Sequence, residues 1–382
     1  MATVTTKNGL GFTLDRALEL SEAKGEPGWL RELRERAWKA WENIPMPTLQ
    51  DEEWRRTDIS NIDFGNFQPY GELNGHEQVS VENLPDATKS LIERPGDRAG
   101  YLVQGDSKIE LTELSEELRS KGVIFTSLDS AIQEHPDLVK QYLFSEAIAP
   151  EYSKFAALNG AFWTGGAFLY VPKNVEVDIP VEALFSGRGS QMGLFQHTLI
   201  VVDTNASAQF VEVFQSEDGH GETLSSGITE MYLNDNARLN FTSVQNWNEN
   251  VYEFSNKRAH IGRDAHLTSV VGSFGGKLSK YHIDSICAGQ GAHADNYGLY
   301  FLNGTQHLDT GVLLKLDTSH TSGESVFKGA LKDKSRSVFQ GLIKIEKGAQ
   351  QTDAELENKN MLLNEGARAD SIPVLEILAD DV

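Results

Sequence analysis

The sequence predicts a mostly β protein with a parallel β-helix core, preceded by a helical and mixed α+β N-terminal region. Three observations support this fold class. Helical periodicity in the first 45 residues gives way to strand-like segments from about residue 155. A short corner phrase recurs at intervals near 28 residues or about half of that. Gly, Asn or Asp precedes an alanine in each corner, and a chain that turns at regular intervals with strands between the turns can wind into a solenoid.

Residues 13 to about 45 have the periodicity of two helices. Apolar side chains recur every three or four residues, at Leu14, Leu18, Leu30, Leu33, Ala37, Trp38 and Trp41. Thr13 is placed to cap the first helix, and helix-breaking residues then separate and end the two helices: Gly25, Pro27, Pro45 and Pro47. We interpret the tryptophan pair as a packed helix face and not as a ligand platform, because its spacing is helical.

Residues 51–150 have a mixed pattern. The segments RAGYLVQGD and GVIFTSL predict strands, and ELTELSEELRSKG predicts a helix that ends at Gly122. LDSAIQEHPDLVKQYLFSEAIAP predicts one or two further short helices. We therefore divide the chain into an N-terminal region, 1–150, and a β-helix core, 151–382.

From about residue 155 strand-like segments follow one another without convincing helices. Val, Ile, Phe, Tyr and Thr alternate with polar residues in these segments, as in half-buried strands. The segments are AFLYVPKNVEV, HTLIVVD, AQFVEVFQS, GITEMYLND, LNFTSVQNW, HLTSVVGSF, YHIDSICAG, NYGLYFLNG, SVFQGLIKIEKG and VLEIL.

The corner phrase sets the period of the expected coils. Its alanines stand at Ala206, Ala237, Ala265, Ala292, Ala349 and Ala367, and Ser335 takes the alanine position in one further corner. The first three intervals are 31, 28 and 27 residues, and the last is 18. A small residue after the turn lets successive coils stack closely. The alternative, an antiparallel sandwich or barrel, predicts turns every ~8–12 residues, so the longer period favours the β-helix.

The segment IPVLEIL, residues 372–378, reads as one more strand of the stack. The end of a solenoid exposes strand edges and interior apolar side chains unless something covers it. We therefore expect a cap, a following domain or a partner at this end.

Composition excludes several classes of function. The formal net charge is −22 and the pI about 4.8, without a local basic patch, so nucleic acid is not an expected ligand. No apolar run approaches the ~20 residues of a membrane span, and the N-terminus lacks the pattern of a secretory signal. Cys287 is the single cysteine, which rules out a disulfide within the chain and suits the cytoplasm.

Several long phrases resemble the SufB/SufD family of iron–sulfur cluster assembly proteins, and the resemblance covers nearly the whole chain. The phrases are IPMPTLQDEEWRRTDIS, KFAALNGAFWTGGAFLYVPKNVEVDIPVEALF, YHIDSICAGQGAHADNYGLYFLNGTQHLDT and the block from FKGALKDKSRSVFQG to the final ADDV. The resemblance implies a right-handed parallel β-helix between helical N- and C-terminal parts. It also implies a non-enzymatic, cytoplasmic subunit of the SUF machinery.

The resemblance further implies partners and cargo. A SufB-like paralogue would pair through the β-helix and a SufC-like ATPase would dock on C-terminal helices, while a homodimer is an alternative assembly. Iron or an Fe–S cluster would pass through the complex, and this chain alone would hold no cofactor. The sequence ends at Ala-Asp-Asp-Val, before the phrase Lys-Cys-x-His-Gly-Ala and the ATPase-binding helices of typical SufD proteins. We expect either a truncated sequence or a natural short form.

Within the family the chain is most similar to SufD. SufB proteins typically carry cysteines in the stretch that matches residues 350–376, and this chain has none there. The terminal ADDV phrase is also SufD-like, whereas the run Leu308-Asp309-Thr310-Gly311 is more similar to SufB.

Cys287 and His293 are the candidate metal ligands. A conventional cluster needs about four ligands, mostly cysteines, so one chain with one cysteine cannot hold it alone. In HIDSIC, alternation places His282 and Asp284 on one face and Cys287 on the other. We favour a small buried core residue at Cys287 over a ligand. The remaining histidines of this half read as surface or corner residues: His260, His266, His307 and His320.

Two other functions are alternatives. A β-helix carbohydrate-active enzyme needs clustered acids with Arg or Lys on one exposed sheet, and the sequence shows no such cluster. A structural β-helix that binds proteins without a cluster role is the other alternative. The chain contains no G-x-x-x-x-G-K-[ST] phosphate loop and no G-x-S-x-G motif.

Overall fold

A computed structural model describes residues 11–71, 73, 79–93, 96–217 and 221–382. The protein is mostly β, with a parallel β-solenoid of about seven turns behind a helical N-terminal region, which confirms the predicted fold class. Among the described residues, no helix is both long enough and apolar enough to cross a membrane.

Seven α-helices lie in the described N-terminal half. They are α1 (Leu14–Ala23), α2 (Gly28–Asn43), α3 (Asp86–Ile92), α4 (Glu116–Ser120), α5 (Leu128–Glu134), α6 (Pro136–Tyr142) and α7 (Lys154–Phe162). The Thr13 hydroxyl accepts a hydrogen bond from the Arg16 amide, which confirms the predicted cap of α1. Trp38 and Trp41 are buried in the core that α2 and α7 form against the solenoid, as their helical spacing predicted.

Two N-terminal elements differ from the prediction. Helix α7 was not predicted, because every residue from Phe155 to Phe162 is buried and the segment has no polar face to reveal a helical period. The helix expected over ELTELSEELRSKG is only α4, since strand β2 (Lys108–Leu114) takes its first part and pairs antiparallel with β1 (Gly100–Gly105). Gly122 follows the helix with φ +82°, so its predicted end is correct.

The remaining strands build the solenoid. They are β3 (Ile124–Ser127), β4 (Ala167–Val171), β5 (Val181–Gly187), β6 (Gly193–Leu194), β7 (His197–Val202), β8 (Ser207–Ser216), β9 (Thr223–Ser225), β10 (Ile228–Leu233), β11 (Arg238–Asn246), β12 (Val251–Ile261), β13 (His266–Ser273), β14 (Leu278–Cys287), β15 (His293–Leu302), β16 (His307–Leu316), β17 (Ser322–Leu331), β18 (Arg336–Ile345), β19 (Asp353–Leu362) and β20 (Arg368–Ile377).

Two long sheets face each other across the core. Sheet B has the order β19-β17-β15-β13-β11-β8-β5-β1-β2, and sheet C has the order β20-β18-β16-β14-β12-β10-β7-β4-β3. From β4 and β5 onward all neighbours are parallel, and each coil gives one long strand to each sheet. Strands β1, β2 and β3 extend these sheets from within residues 1–150, so the N-terminal region shares the solenoid's hydrogen-bond network. The boundary near residue 150 stays a prediction.

The corners follow the predicted chemistry, with one correction. At one corner of each coil, small residues from successive coils stack in a column. The residue just before each of them has a φ between +54° and +74°: Asn205, Asn236, Asp264, Gly291, His320 and Gln351. The residues after them align through the strand register as Ala206, Ala237, Ala265, Ala292, Thr321 and Thr352. Ala367 instead stacks above Ser335 at the opposite corner, and Ala349 precedes the column by three residues. Each coil has two corners. The predicted series of alanines combined residues from both corners, so its intervals were not uniform.

Side chains alternate between the interior and the outer faces. Stacked aromatic rings fill part of the interior, as in the Phe210–Phe241 pair with centroids 6.3 Å apart and planes 9° apart. The outer face of sheet C is covered by the N-terminal helices, whereas the outer face of sheet B exposes Val270, Leu299 and Phe301.

Candidate functional site

Cys287 lies at the end of β14 with its side chain in the solenoid interior. It belongs to the main hydrophobic core and is fully buried. Burial raises the pKa of the Cys287 thiol to about 12, with smaller contributions from Asp317 and Asp295. Metals bind the thiolate form of cysteine, and a raised pKa disfavours that form. The environment of Cys287 therefore suits a packed core residue better than a metal ligand. His282 faces the other side of the strand, as the alternation predicted.

His293 begins β15 and lies on the outer face of sheet B. His293 lies close to His266 and Asp295, and the possible ligand atoms of these three side chains are within 4.8 Å of one another. Among the described residues, this is the one group of three or more His, Cys, Asp or Glu side chains that meets this distance. Cys287 is outside this group. The structure therefore does not assemble a Cys287–His293 site of that kind, and a metal role for Cys287 stays a prediction. Burial and the nearby His293 lower the pKa of His266, while Asp295 partly opposes that effect.

A carboxylate and an ammonium group are paired inside the solenoid. Glu212, on β8, is fully buried, and its Oε1 lies 2.6 Å from Nζ of Lys257 on β12. Two hydroxyls donate to the same carboxylate, Thr229 Oγ1 at 3.1 Å and Ser243 Oγ at 2.8 Å. Lys257 Nζ also lies 4.9 Å from the ring centroid of Phe214. The pair is thus satisfied within the protein and shielded from water.

This pair was not predicted, although strand β8 contains a signal for it. Ala208, Phe210, Glu212 and Phe214 occupy alternate positions of β8 and are all buried. A carboxylate in such an apolar row requires a buried partner. The partner could not be identified from spacing, because Lys257 is 45 residues away and belongs to the opposite sheet.

A second buried polar cluster lies further along the interior. Gln245 Nε2 lies 2.8 Å from Glu253 Oε2 and 2.9 Å from Ser279 Oγ, and its Oε1 accepts from the Gly275 amide at 3.0 Å. The Ser255 hydroxyl donates to the other oxygen of Glu253 at 3.1 Å. Polar side chains therefore continue through several coils of the interior.

The phrase EEWRRT, residues 52–57 within IPMPTLQDEEWRRTDIS, docks on the outer face of sheet C. Trp54 packs against Phe254, with ring centroids 6.0 Å apart, and Lys280 Nζ lies 4.9 Å from the Trp54 ring. The Thr57 hydroxyl donates to Asp309, which is also paired with Lys280 at 2.8 Å. The phrase and the SufB-like run at residues 308–311 thus meet in one contact that joins the two regions.

The pKa values of two histidines at this contact are lowered. Burial, together with the charge of Lys280, lowers the pKa of His282 to about 4. Burial lowers the pKa of His307 to about 4 although Asp309 opposes the shift, and His307 Nε2 lies 2.9 Å from Thr57 Oγ1. His307, which the sequence predicts as a surface or corner residue, is half-buried at the first position of β16, beside Thr57. His320 does occupy a corner and is exposed.

Thr57→Val is expected to lower the free energy of unfolding by about 1–3 kcal/mol. Valine keeps the shape of threonine but removes the hydroxyl that donates to the buried carboxylate of Asp309. Thr57→Ser, which keeps the hydroxyl, is the matched control and should lose less. Urea unfolding of the three proteins measures the difference, and equal stability of the valine variant and the wild type would show that the hydroxyl is not needed there.

The outermost strands of the stack, β19 and β20, present an exposed apolar surface that we call the end rung. Leu375 is 63% exposed, whereas Ile343, its register partner on β18, is 2% exposed. Ile377 and Leu362 are also exposed, while their partners one coil below, Ile345 and Leu331, are buried. The prediction that residues 372–378 form one more strand of the stack is confirmed.

Comparisons with known proteins match nearly the whole chain. The family model described as "SUF system FeS cluster assembly, SufBD core domain" matches residues 185–382. A second model, "SufBD protein N-terminal region", matches residues 19–183.

Similar proteins include several named as iron–sulfur cluster assembly SufBD family proteins. One from Staphylococcus epidermidis is 30% identical over 379 residues, which cover 97% of this chain and 80% of the relative. Relatives from Staphylococcus haemolyticus and Staphylococcus aureus are 30% and 29% identical with the same coverage. The chain therefore belongs to the SufBD family of iron–sulfur cluster assembly proteins.

Proposed function

We propose that this chain is a SufD-like scaffold subunit of the SUF machinery, which works in the cytoplasm with a SufB-like paralogue and a SufC-like ATPase. It catalyses no reaction of its own, and iron and nascent clusters are cargo of the complex. Family membership supports a role in cluster assembly. The absence of cysteine from residues 350–376 and the terminal ADDV phrase favour the SufD-like role.

The end rung is the observation that carries the pairing part of this proposal. Leu362, Leu375 and Ile377 continue columns of side chains that are buried one coil below. Within the part of the chain that the structure describes, strand β20 has one hydrogen-bonded neighbour, β18, and its other edge is open to a further strand. A paralogue with the same coil geometry would bury these side chains and pair with this edge by β-strand addition.

Leu375→Asp is expected to abolish co-purification with a SufB-like paralogue from the same genome. The aspartate places a charge in the apolar centre of the end rung, where pairing would exclude water. Because Leu375 is already exposed in the single chain, the variant should fold normally. The matched control is Leu299→Asp, which makes the same change at a similarly exposed leucine on the outer face of sheet B.

The measurement is size-exclusion chromatography with light scattering after co-expression with the paralogue and the ATPase. We expect a complex for the wild type and Leu299→Asp and a free chain for Leu375→Asp. Cluster assembly by the purified complexes on an apo-ferredoxin acceptor should follow the same order. A wild-type chain that stays monomeric beside both partners, or that forms only homodimers, would contradict the proposed pairing.

A further inference from the structure

Two histidines lie side by side on the outer face of sheet B. His266 on β13 and His293 on β15 are register partners in adjacent parallel strands, and Asp295 follows on the same face of β15. The two imidazole centroids are 4.4 Å apart. Both strands are interior members of a nine-stranded sheet, so the backbone positions of the three residues are fixed by hydrogen bonds on both sides.

The Asp295 carboxylate lies between the two imidazoles. Its Oδ2 is 3.1 Å from His266 Nε2 and its Oδ1 is 2.7 Å from His293 Nε2. Two ligand atoms bound to one ion with bonds of about 2.1 Å are roughly 3.0–3.4 Å apart. The two distances run to different oxygens of the carboxylate, and the three ligand atoms all lie within 4.8 Å of one another. A small rotation of these side chains would bring them to the separations that a shared ion requires.

We propose that His266, His293 and Asp295 form a binding site for a divalent first-row transition-metal cation such as Fe²⁺ or Zn²⁺. The ligands would be Nε2 of each imidazole and one carboxylate oxygen. Two imidazoles and one carboxylate are a donor set that these ions favour over Mg²⁺ or Ca²⁺, and the set leaves further coordination positions open.

The surroundings support binding. The Ser322 hydroxyl lies 2.7 Å from His293 Nδ1 and orients the ring so that Nε2 faces Asp295. The side chains of His266, His293 and Asp295 are 44%, 32% and 16% exposed, so an ion can enter from solvent and keep water ligands. Arg238, the register partner of His266 on β11, is exposed, and solvent screens its repulsion of a bound cation.

This site does not depend on the proposed scaffold function. It lies on the outer face of sheet B, away from the interior pair and the end-rung leucines, and it needs no partner chain. Metal binding is measured on the isolated chain, whereas pairing is measured by co-purification, so failure of one leaves the other testable.

The experiment titrates the untagged chain with Co²⁺, followed by its d–d absorption, and then displaces Co²⁺ with Zn²⁺. We expect one tightly bound ion per chain. His293→Gln and Asp295→Asn should each weaken the affinity at least about tenfold. Ser322→Ala should weaken it about tenfold, because the hydroxyl that orients the His293 ring is lost.

The matched control is His260→Gln. His260 also lies beside a carboxylate, with Nε2 3.5 Å from Glu146. Among the described residues, however, His260 and Glu146 do not belong to a group of three possible metal ligands. The control should bind Co²⁺ as the wild type does, and circular dichroism should show all variants folded. Absence of stoichiometric binding, or equal affinities in folded wild type, His293→Gln and Asp295→Asn, would overturn the proposal.

Discussion

Lys257→Met is expected to lower the free energy of unfolding by about 3–5 kcal/mol. Methionine fills a similar volume, but it leaves Glu212 as an unpaired carboxylate in the solenoid interior. The remaining donors to that carboxylate are the hydroxyls of Thr229 and Ser243, which are neutral and cannot replace the ammonium group. Chemical denaturation of the purified chain measures the loss.

The double variant Glu212→Gln with Lys257→Met separates charge burial from packing. Removing both charges should restore most of the stability lost by Lys257→Met alone, because the desolvation cost of the charges is removed together with their attraction. Lys328→Met is the matched control on the surface, where Lys328 lies 4.0 Å from Glu357 and the pair is worth less than about 1 kcal/mol. Equal losses for Lys257→Met and Lys328→Met would show that the interior pair is not shielded as described.

Acidification from pH 7 to pH 5 is expected to lower the free energy of unfolding by about 2–4 kcal/mol through His282 and His307. Their pKa values are lowered to about 4 in the folded chain, whereas an exposed histidine titrates near 6.5. Between these values the unfolded chain binds more protons than the folded chain. The stability contributed by the neutral imidazoles is therefore full above pH 6.5 and is lost as the pH falls toward 4.

The double variant His282→Gln with His307→Gln tests the source of this pH dependence. Glutamine keeps a polar side chain but does not titrate, so the variant should lose most of the change between pH 7 and pH 5. His320→Asn is the control, because His320 is exposed at a corner with φ +59°, which asparagine tolerates. A double variant with the full wild-type pH dependence would assign the effect to other groups.

The solenoid could be predicted because its signals are local and repeated. A residue tolerant of positive φ followed by a small residue marks a corner, and alternation marks the strands between corners. Helix α7 could not be recognised, because a helix buried on all sides has lost its amphipathic period. Strand β2 was assigned to a helix because Leu111, Leu114 and Leu118 recur at helical intervals of three and four residues. Only the pairing of residues 108–114 with β1 shows that this part is a strand.

The sites were less predictable than the fold. Alternation correctly separated His282 from Cys287, since it needs only the strand itself. His266 and His293 are neighbours because the coil between them is 27 residues long, whereas other coils of sheet B are 28 to 31 residues long. Register must therefore be known before ligands on adjacent coils can be grouped. Predicting the Glu212–Lys257 pair requires more than the register within one sheet, because Glu212 and Lys257 lie on strands of opposite sheets.

Hydrogen exchange of the backbone amides, with and without the SufB-like paralogue, tests most directly whether the end rung is an assembly surface. In the free chain, amides on the open edge of β20 should exchange faster than those of the inner strands. The proposal predicts that the paralogue slows exchange in β19 and β20 and leaves β1 to β5 unchanged. Unchanged exchange in β19 and β20, with protection on another face of the molecule, would contradict it.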